Sequence, residues 1–131
     1  MKIEVIILDK KTLEFKPLIA KKSAKICRLI RKNGVIEVYL VAGNKMRMLN
    51  KKFRGKNKDT NVLSFVTPKD FIGGPMGEVY LNPVFIKKNK QDMDLMLAHG
   101  VLHILGYDHI KKSDKIKMEA EEDRFLSLIS N

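Results

Sequence analysis

Every histidine of the 131-residue chain falls within eleven residues, His99-Gly-Val-Leu-His103-Ile-Leu-Gly106-Tyr-Asp108-His109. On an α-helix, side chains four residues apart project from one face, one turn apart, so His99 and His103 form a rigid pair of ligands. Gly106 can take the left-handed conformation that ends a helix and turns the chain, which would bring His109 back toward the same point. A lone histidine beside an apolar stripe is ordinarily a core or surface residue. Three confined to one window at His-x3-His-x5-His spacing point instead to a metal site. Neutral imidazoles suit zinc, and the same ligand set accepts nickel or cobalt. A three-ligand site leaves a fourth position for water or substrate, which is the arrangement of a catalytic rather than a purely structural ion.

The elements that must position these residues can be read along the chain. Residues 2–8 form a strand, and Phe15–Lys32 a helix with Pro17 in its first turn and Asn33-Gly34 as its stop. This helix has an apolar side of Leu18, Ile19, Ile26, Leu29 and Ile30, and a basic side of Lys21, Lys22, Lys25, Arg28, Arg31 and Lys32. Val35–Ala42 is apolar and β-branched, as in a strand covered on both faces. Gly43-Asn44 breaks it and caps a helix from Lys45 to about Phe53. A polar loop, Arg54–Thr60, leads to a strand at Asn61–Val66. The turn-rich run Thr67–Pro75 precedes a strand at Gly77–Leu81, and a short helix follows at 83–89. The histidine helix spans Asp92–Leu105 with Leu95, Ala98, Leu102 and Leu105 as its buried stripe. Ser113 caps a last helix whose exposed side carries Glu119, Glu121, Glu122 and Asp123. The expected body is one α/β (α+β) domain, residues 1–131, with a mixed sheet of about four strands packed by helices.

Composition narrows the partners. With 44% hydrophobic and 31% charged residues the chain is that of a folded globular protein. Its apolar runs are too short to span a membrane, and the N-terminus lacks the small-residue cleavage site of a secretory signal, so the cytoplasm is the expected setting. The lone Cys27 excludes an internal disulfide and, among apolar neighbours, reads as a buried thiol. The formal net charge of +11 favours a polyanionic partner. Lys45, Arg47, Lys51, Lys52, Arg54, Lys56 and Lys58 fall in fourteen residues without an acid, a pattern suited to phosphates along a nucleic acid.

The spacing of the three histidines is that of the metzincin metallopeptidases, in which a glutamate general base follows the first histidine. Here Gly100 takes that place, which argues against proteolysis. Glycine within a helix costs about 1 kcal/mol relative to alanine, so something there needs space, either beside the metal or where the helix packs on the sheet.

His99-Gly-x-Leu-His103-x-x-Gly106-Tyr107-Asp108-His109 resembles the signature of the YbeY family of bacterial endoribonucleases and rRNA maturation factors. The run from Leu49 through Arg54 to Thr60-Asn61-Val62-Leu63-Ser64-Phe65 resembles a second family segment, and Gly77-Glu78-Val79 a third. The resemblance implies a zincin-like fold with one metal ion, zinc foremost, on His99, His103 and His109. It also implies that Arg54 engages RNA phosphate near the metal. A planar guanidinium forms bidentate bonds to phosphate and can stabilise a pentacovalent transition state. Lys51, Lys52, Lys56 and Lys58 are candidate RNA contacts, and Ser64 a candidate phosphate donor. Asp108 could orient an imidazole or simply cap a turn, and Glu78 is expected to be structural.

The function that this resemblance implies is a metal-dependent, single-strand-specific endoribonuclease in ribosomal RNA maturation and ribosome quality control. Its expected partners are single-stranded RNA, ribosomal RNA, the small ribosomal subunit and ribosome-associated proteins, with no membrane. A non-catalytic RNA-binding assembly factor with a structural zinc is the alternative, and a metallopeptidase the weaker one.

Overall fold

The computed structural model describes residues 1–130. In chain order the elements are β1 (Lys2–Ile7), a 3-10 helix (Lys10–Phe15), α1 (Lys16–Cys27), β2 (Val35–Leu40), α2 (Gly43–Arg54), β3 (Val62–Val66), β4 (Gly77–Leu81), α3 (Pro83–Lys88), α4 (Met93–Ile104) and α5 (Lys112–Ile129). The four strands form one mixed sheet in the order β1-β2-β4-β3, parallel except for the antiparallel edge strand β3. The expected α/β class and four-stranded mixed sheet are what the chain forms.

Alternation along β2 and β4 sorts side chains by face. Ile36, Val38, Leu40, Val79 and Leu81 point into the main core, where they meet Ile19 and Ile26 of α1, Leu97, Val101 and Leu102 of α4, and Met118, Phe125 and Ile129 of α5. Removing these apolar groups from water is the chief stabilisation of the domain, about 1.5–3 kcal/mol for each large side chain. The opposite face is thinner. There α2 places Met46 against Val41 and Leu63, with Tyr39, Leu49, Phe65 and Tyr80 packed around them. Lys22 ties three helices together, since its Nζ lies 3.2 Å from Asp94 Oδ2 at the start of α4 and donates to Ile129 O at the end of α5 at 2.6 Å.

Several expectations need correction. The first helix is shorter than Phe15–Lys32: Leu29 N–H donates to Ile26 O and Ile30 N–H to Cys27 O, and these tight i to i−3 bonds end the helix while folding Leu29 and Ile30 onto the core. Leu18 is 45% exposed, because the buried face centres on Ile19, Ser23 and Ile26. Helix α2 begins at Gly43 without a side-chain cap, so Asn44 does not cap it, and it extends through Arg54. Nor does Ser113 cap α5; it sits within the helix, behind Lys111.

On α4 the buried residues are Leu97, Ala98, Gly100, Val101, Leu102 and Ile104, whereas Leu95 and Leu105 are half-buried. A single stripe was too narrow an expectation because α4 is packed by the sheet on one side and by α5 on another. Leu95 and Leu105 border two separate clefts at its margins.

Candidate metal centre and nucleic-acid cleft

Helix α4 opens with Asp92, whose Oδ1 accepts the Leu95 N–H at 3.1 Å, a side-chain cap for an otherwise unpaired amide. At its other end Gly106 has φ +104, and Tyr107 N–H donates back to Leu102 O at 3.1 Å, closing the helix in the manner that favours glycine. The chain therefore reverses over three residues, and His109 returns toward His99 and His103. One ring nitrogen from each histidine lies within 4.8 Å of the others.

The ligand geometry is set by a partner on another helix. His99 Nδ1 lies 2.8 Å from Glu122 Oε2 of α5. A carboxylate there accepts a hydrogen bond from Nδ1–H, leaving the Nε2 lone pair aimed inward. His99 Nε2 and His103 Nε2 are 3.1 Å apart, close to the ~3.3 Å expected for two nitrogens on one tetrahedral zinc ion. Burial lowers the His103 pKa below the ordinary value, and the neighbouring His99 and His109 lower it further. The neutral, ligating form is thereby favoured. The donor set, its convergence and the carboxylate behind His99 all fit a divalent metal.

Glu122 is the residue that sequence reasoning missed. It was expected on the exposed side of α5, yet its side chain is only 13% exposed and faces α4. Twenty-three positions separate it from His99, so no local spacing pointed to it. Asp108 lies at the same cleft, but its Oδ1 accepts the Ile110 N–H at 3.1 Å and shapes the turn carrying His109.

The cleft has a volume of about 690 Å³. It is lined by the three histidines, Leu95, Met96 and Glu122, by the length of β3 and by Arg54. Arg54 is the last residue of α2 and is exposed. Lys51, Lys52, Lys56 and Lys58 are also exposed but do not line the cleft; they surround Arg54 on the end of α2 and the following loop. Buried asparagines hold that loop. Asn50 Nδ2 donates to Lys58 O at 2.9 Å, and Asn82 Nδ2 to Asp59 Oδ1 at 2.8 Å.

Ser64 does not turn its hydroxyl to the open cleft, since Oγ donates to Gly100 O at 3.0 Å. Gly100 itself sits where a Cβ would lie 2.7 Å from Val79 Cγ1 and 3.2 Å from Val62 Cγ2. The space it provides is for packing α4 on the sheet. Glu78 lies on the opposite face of the sheet, accepting a hydrogen bond from Tyr80 Oη at 3.1 Å.

The chain is similar to known proteins along most of its length. The family model described as Endoribonuclease YbeY matches residues 7–130. The chain is 38% identical over 138 aligned positions to the endoribonuclease YbeY of Thermodesulfovibrio yellowstonii, covering 95% of this chain and 86% of that protein. It is 34% identical to the protein of the same name from Helicobacter pylori, covering 81% of this chain and 78% of the other. The fold is similar to that of a Thermotoga maritima protein solved in solution, with a TM-score of 0.63 at 24% identity, covering 97% of this chain and 88% of the other. From the match along nearly its whole length, this chain belongs to the YbeY endoribonuclease family.

Proposed function

We propose that the chain, as a single domain, is a metal-dependent endoribonuclease that cuts single-stranded RNA, and that its substrate is ribosomal RNA during maturation and quality control of the small ribosomal subunit in the cytoplasm. The observation that carries this reading is the placement of Arg54 on the same cleft as the histidine triad. A cleft with metal-ligating imidazoles at one place and a free guanidinium at another suits a phosphodiester, which needs charge stabilisation on its non-bridging oxygens. The +11 charge and the exposed lysines around Arg54 favour the rest of the polyanion.

His99, His103 and His109 would hold one divalent ion, with zinc the best match to three imidazoles. When bound, such an ion supplies Lewis-acid polarisation and lowers the pKa of water toward ~7. Glu122 fixes the orientation of His99, and Arg54 orients the phosphate and offsets its growing negative charge. Gly100 leaves the peptidase glutamate position empty, and the one nearby glutamate is already engaged by His99 Nδ1, which disfavours the metallopeptidase reading. A purely structural zinc is disfavoured by a donor set of three with the open cleft beside it.

The test is to incubate metal-loaded protein with single-stranded RNA, duplex RNA and an unstructured peptide, and to map product ends. Cleavage of single-stranded RNA that His103→Ala abolishes is the expected result. A 2′,3′-cyclic phosphate end would identify ribose attack, and a 5′-phosphate would identify water attack. If wild type and His103→Ala leave all RNA equally intact while both bind ribosomal particles, the protein is an assembly factor and the nuclease reading fails.

A further inference from the structure

Strand β3 is an edge of the sheet, and its outer side forms a wall of the metal cleft. It pairs antiparallel with β4, with Val62 opposite Leu81 and Val66 opposite Gly77. Just beyond the two ends of this pairing, Asn82 N–H donates to Asn61 O at 2.8 Å and Thr67 N–H donates to Met76 O at 2.9 Å. Because antiparallel residues alternate between bonded and non-bonded pairs, Leu63 and Phe65 also bond toward β4. Val62, Ser64 and Val66 must then turn both backbone groups outward. The Val62 N–H is taken by Asn61 Oδ1 at 2.7 Å. No hydrogen bond from the described residues meets the outward N–H and C=O of Ser64 and Val66.

This stretch runs alongside the histidine-bearing turns of α4. Asn61 Nδ2 lies 3.3 Å from Met96 Sδ, Ser64 Oγ bonds Gly100 O at 3.0 Å, and a Cβ at Gly77, opposite Val66, would meet Ile104. The open edge therefore lies beside His99 and His103. An unpaired edge invites a partner, and here it is one that enters the cleft. Ser64 and Val66 each offer one donor and one acceptor side by side. The pairing edge of every nucleobase offers the complementary kind of pattern, and it is free only when the base is unpaired.

We infer that the outward backbone of Ser64 and Val66 receives the Watson–Crick edge of an unpaired RNA base next to the scissile bond, and that this contact selects single-stranded over duplex RNA. The inference rests on the endoribonuclease reading and deepens it. Backbone recognition of this kind discriminates by pairing state rather than by sequence, because any base can present a donor and an acceptor. Two free residues make a short run for an added peptide strand, and the neighbouring Arg54 favours a polyanion.

The experiment compares the metal-loaded full chain on an unstructured RNA and on two copies of it, one with 3-methyluridine and one with 5-methyluridine at every uridine. The first methyl blocks the pairing edge and the second lies off it, and neither changes charge. Cleavage at uridines, read as kcat/KM, is expected to fall about tenfold with 3-methyluridine relative to 5-methyluridine, the loss of about 1.4 kcal/mol of binding. Val66→Pro removes an outward N–H without touching the β4 ladder, so it should shrink that ratio, whereas Val66→Ala should keep it. Equal cleavage of the two methylated RNAs overturns the edge assignment and leaves the nuclease reading intact. Failure to cut any of the three overturns both. Inhibition by an extended peptide that Val66→Pro relieves, with no difference between the methylated RNAs, would give the edge to a peptide strand and overturn the base assignment.

Discussion

His99 Nδ1 and Glu122 Oε2 lie 2.8 Å apart, so the last helix of the chain determines which nitrogen of a histidine on α4 faces the cleft. The carboxylate holds the ring and makes its inner nitrogen a better ligand. Glu122→Ala is expected to weaken metal affinity about 10–100-fold while helical content stays unchanged, as read by competition with a metal chelator. Glu122→Gln, which keeps an acceptor but loses the charge, should fall between wild type and Ala. Unaltered affinity in both variants would mean that the pair only joins α4 to α5.

Arg54 and the lysines around it should separate cleanly in a kinetic assay. Arg54→Ala is expected to lower kcat/KM on RNA about 100-fold with metal content intact, and Arg54→Lys to recover only part of it, because an ammonium cannot form the two parallel bonds. Single alanine substitutions of Lys51, Lys52, Lys56 or Lys58 should instead weaken binding evenly across RNA sequences, each contacting residue reducing the salt-dependence slope by about 0.7 on a single strand. Loss of metal in Arg54→Ala would assign that residue a structural role.

Gly100 is surrounded by the sheet rather than by the metal. In Gly100→Ala the new methyl would lie 2.7 Å from the fully buried Val79 Cγ1, and neither α4 nor β4 can yield without disturbing the core. The better helix propensity of alanine, about 1 kcal/mol, opposes an overpacking cost of about 1–3 kcal/mol. A net loss of up to about 2 kcal/mol in denaturant unfolding is expected. A stabilised variant would show that α4 can slide on the sheet.

The far face of the sheet predicts an alkaline transition. Tyr39 and Tyr80 stack with ring centres 5.0 Å apart, and their hydroxyls donate to Glu37 and Glu78. Burial first, and the adjacent carboxylates second, push both phenols up to about 12. Below the unfolded value of about 10 the phenols are neutral in both states and their contribution to stability is complete. As pH rises from there through the folded value, the unfolded chain ionises first and stability falls. Tyr80→Phe should flatten that fall, measured as denaturation midpoint against pH; an unchanged slope would show that the phenols do not contribute.

Much of the site was legible because its logic is local. The spacing of His99 and His103 follows from the period of one helix, and Gly106 marks where that helix must stop, so three ligands could be read from eleven consecutive residues. The β-branched run of Val35–Ala42 and the basic run around Arg54 were local in the same way. Where local signals misled, packing had intervened. Leu95 and Leu105 fit an apolar stripe, but α4 is enclosed on more than one side and its buried face is broader and displaced.

The sequence by itself determined the class of fold, the metal ligands as candidates and the polyanionic bias of the surface, since residue type, period and charge are properties of short segments. Only the tertiary structure decided that Glu122 stands behind His99, that Asn82 anchors the Arg54 loop through Asp59, and that β3 opens its unpaired edge to the cleft. Each of these joins elements distant in the chain. Their partners depend on how α4, α5 and the sheet come to rest against one another, and that is set by burial of the shared core rather than by any spacing along the sequence.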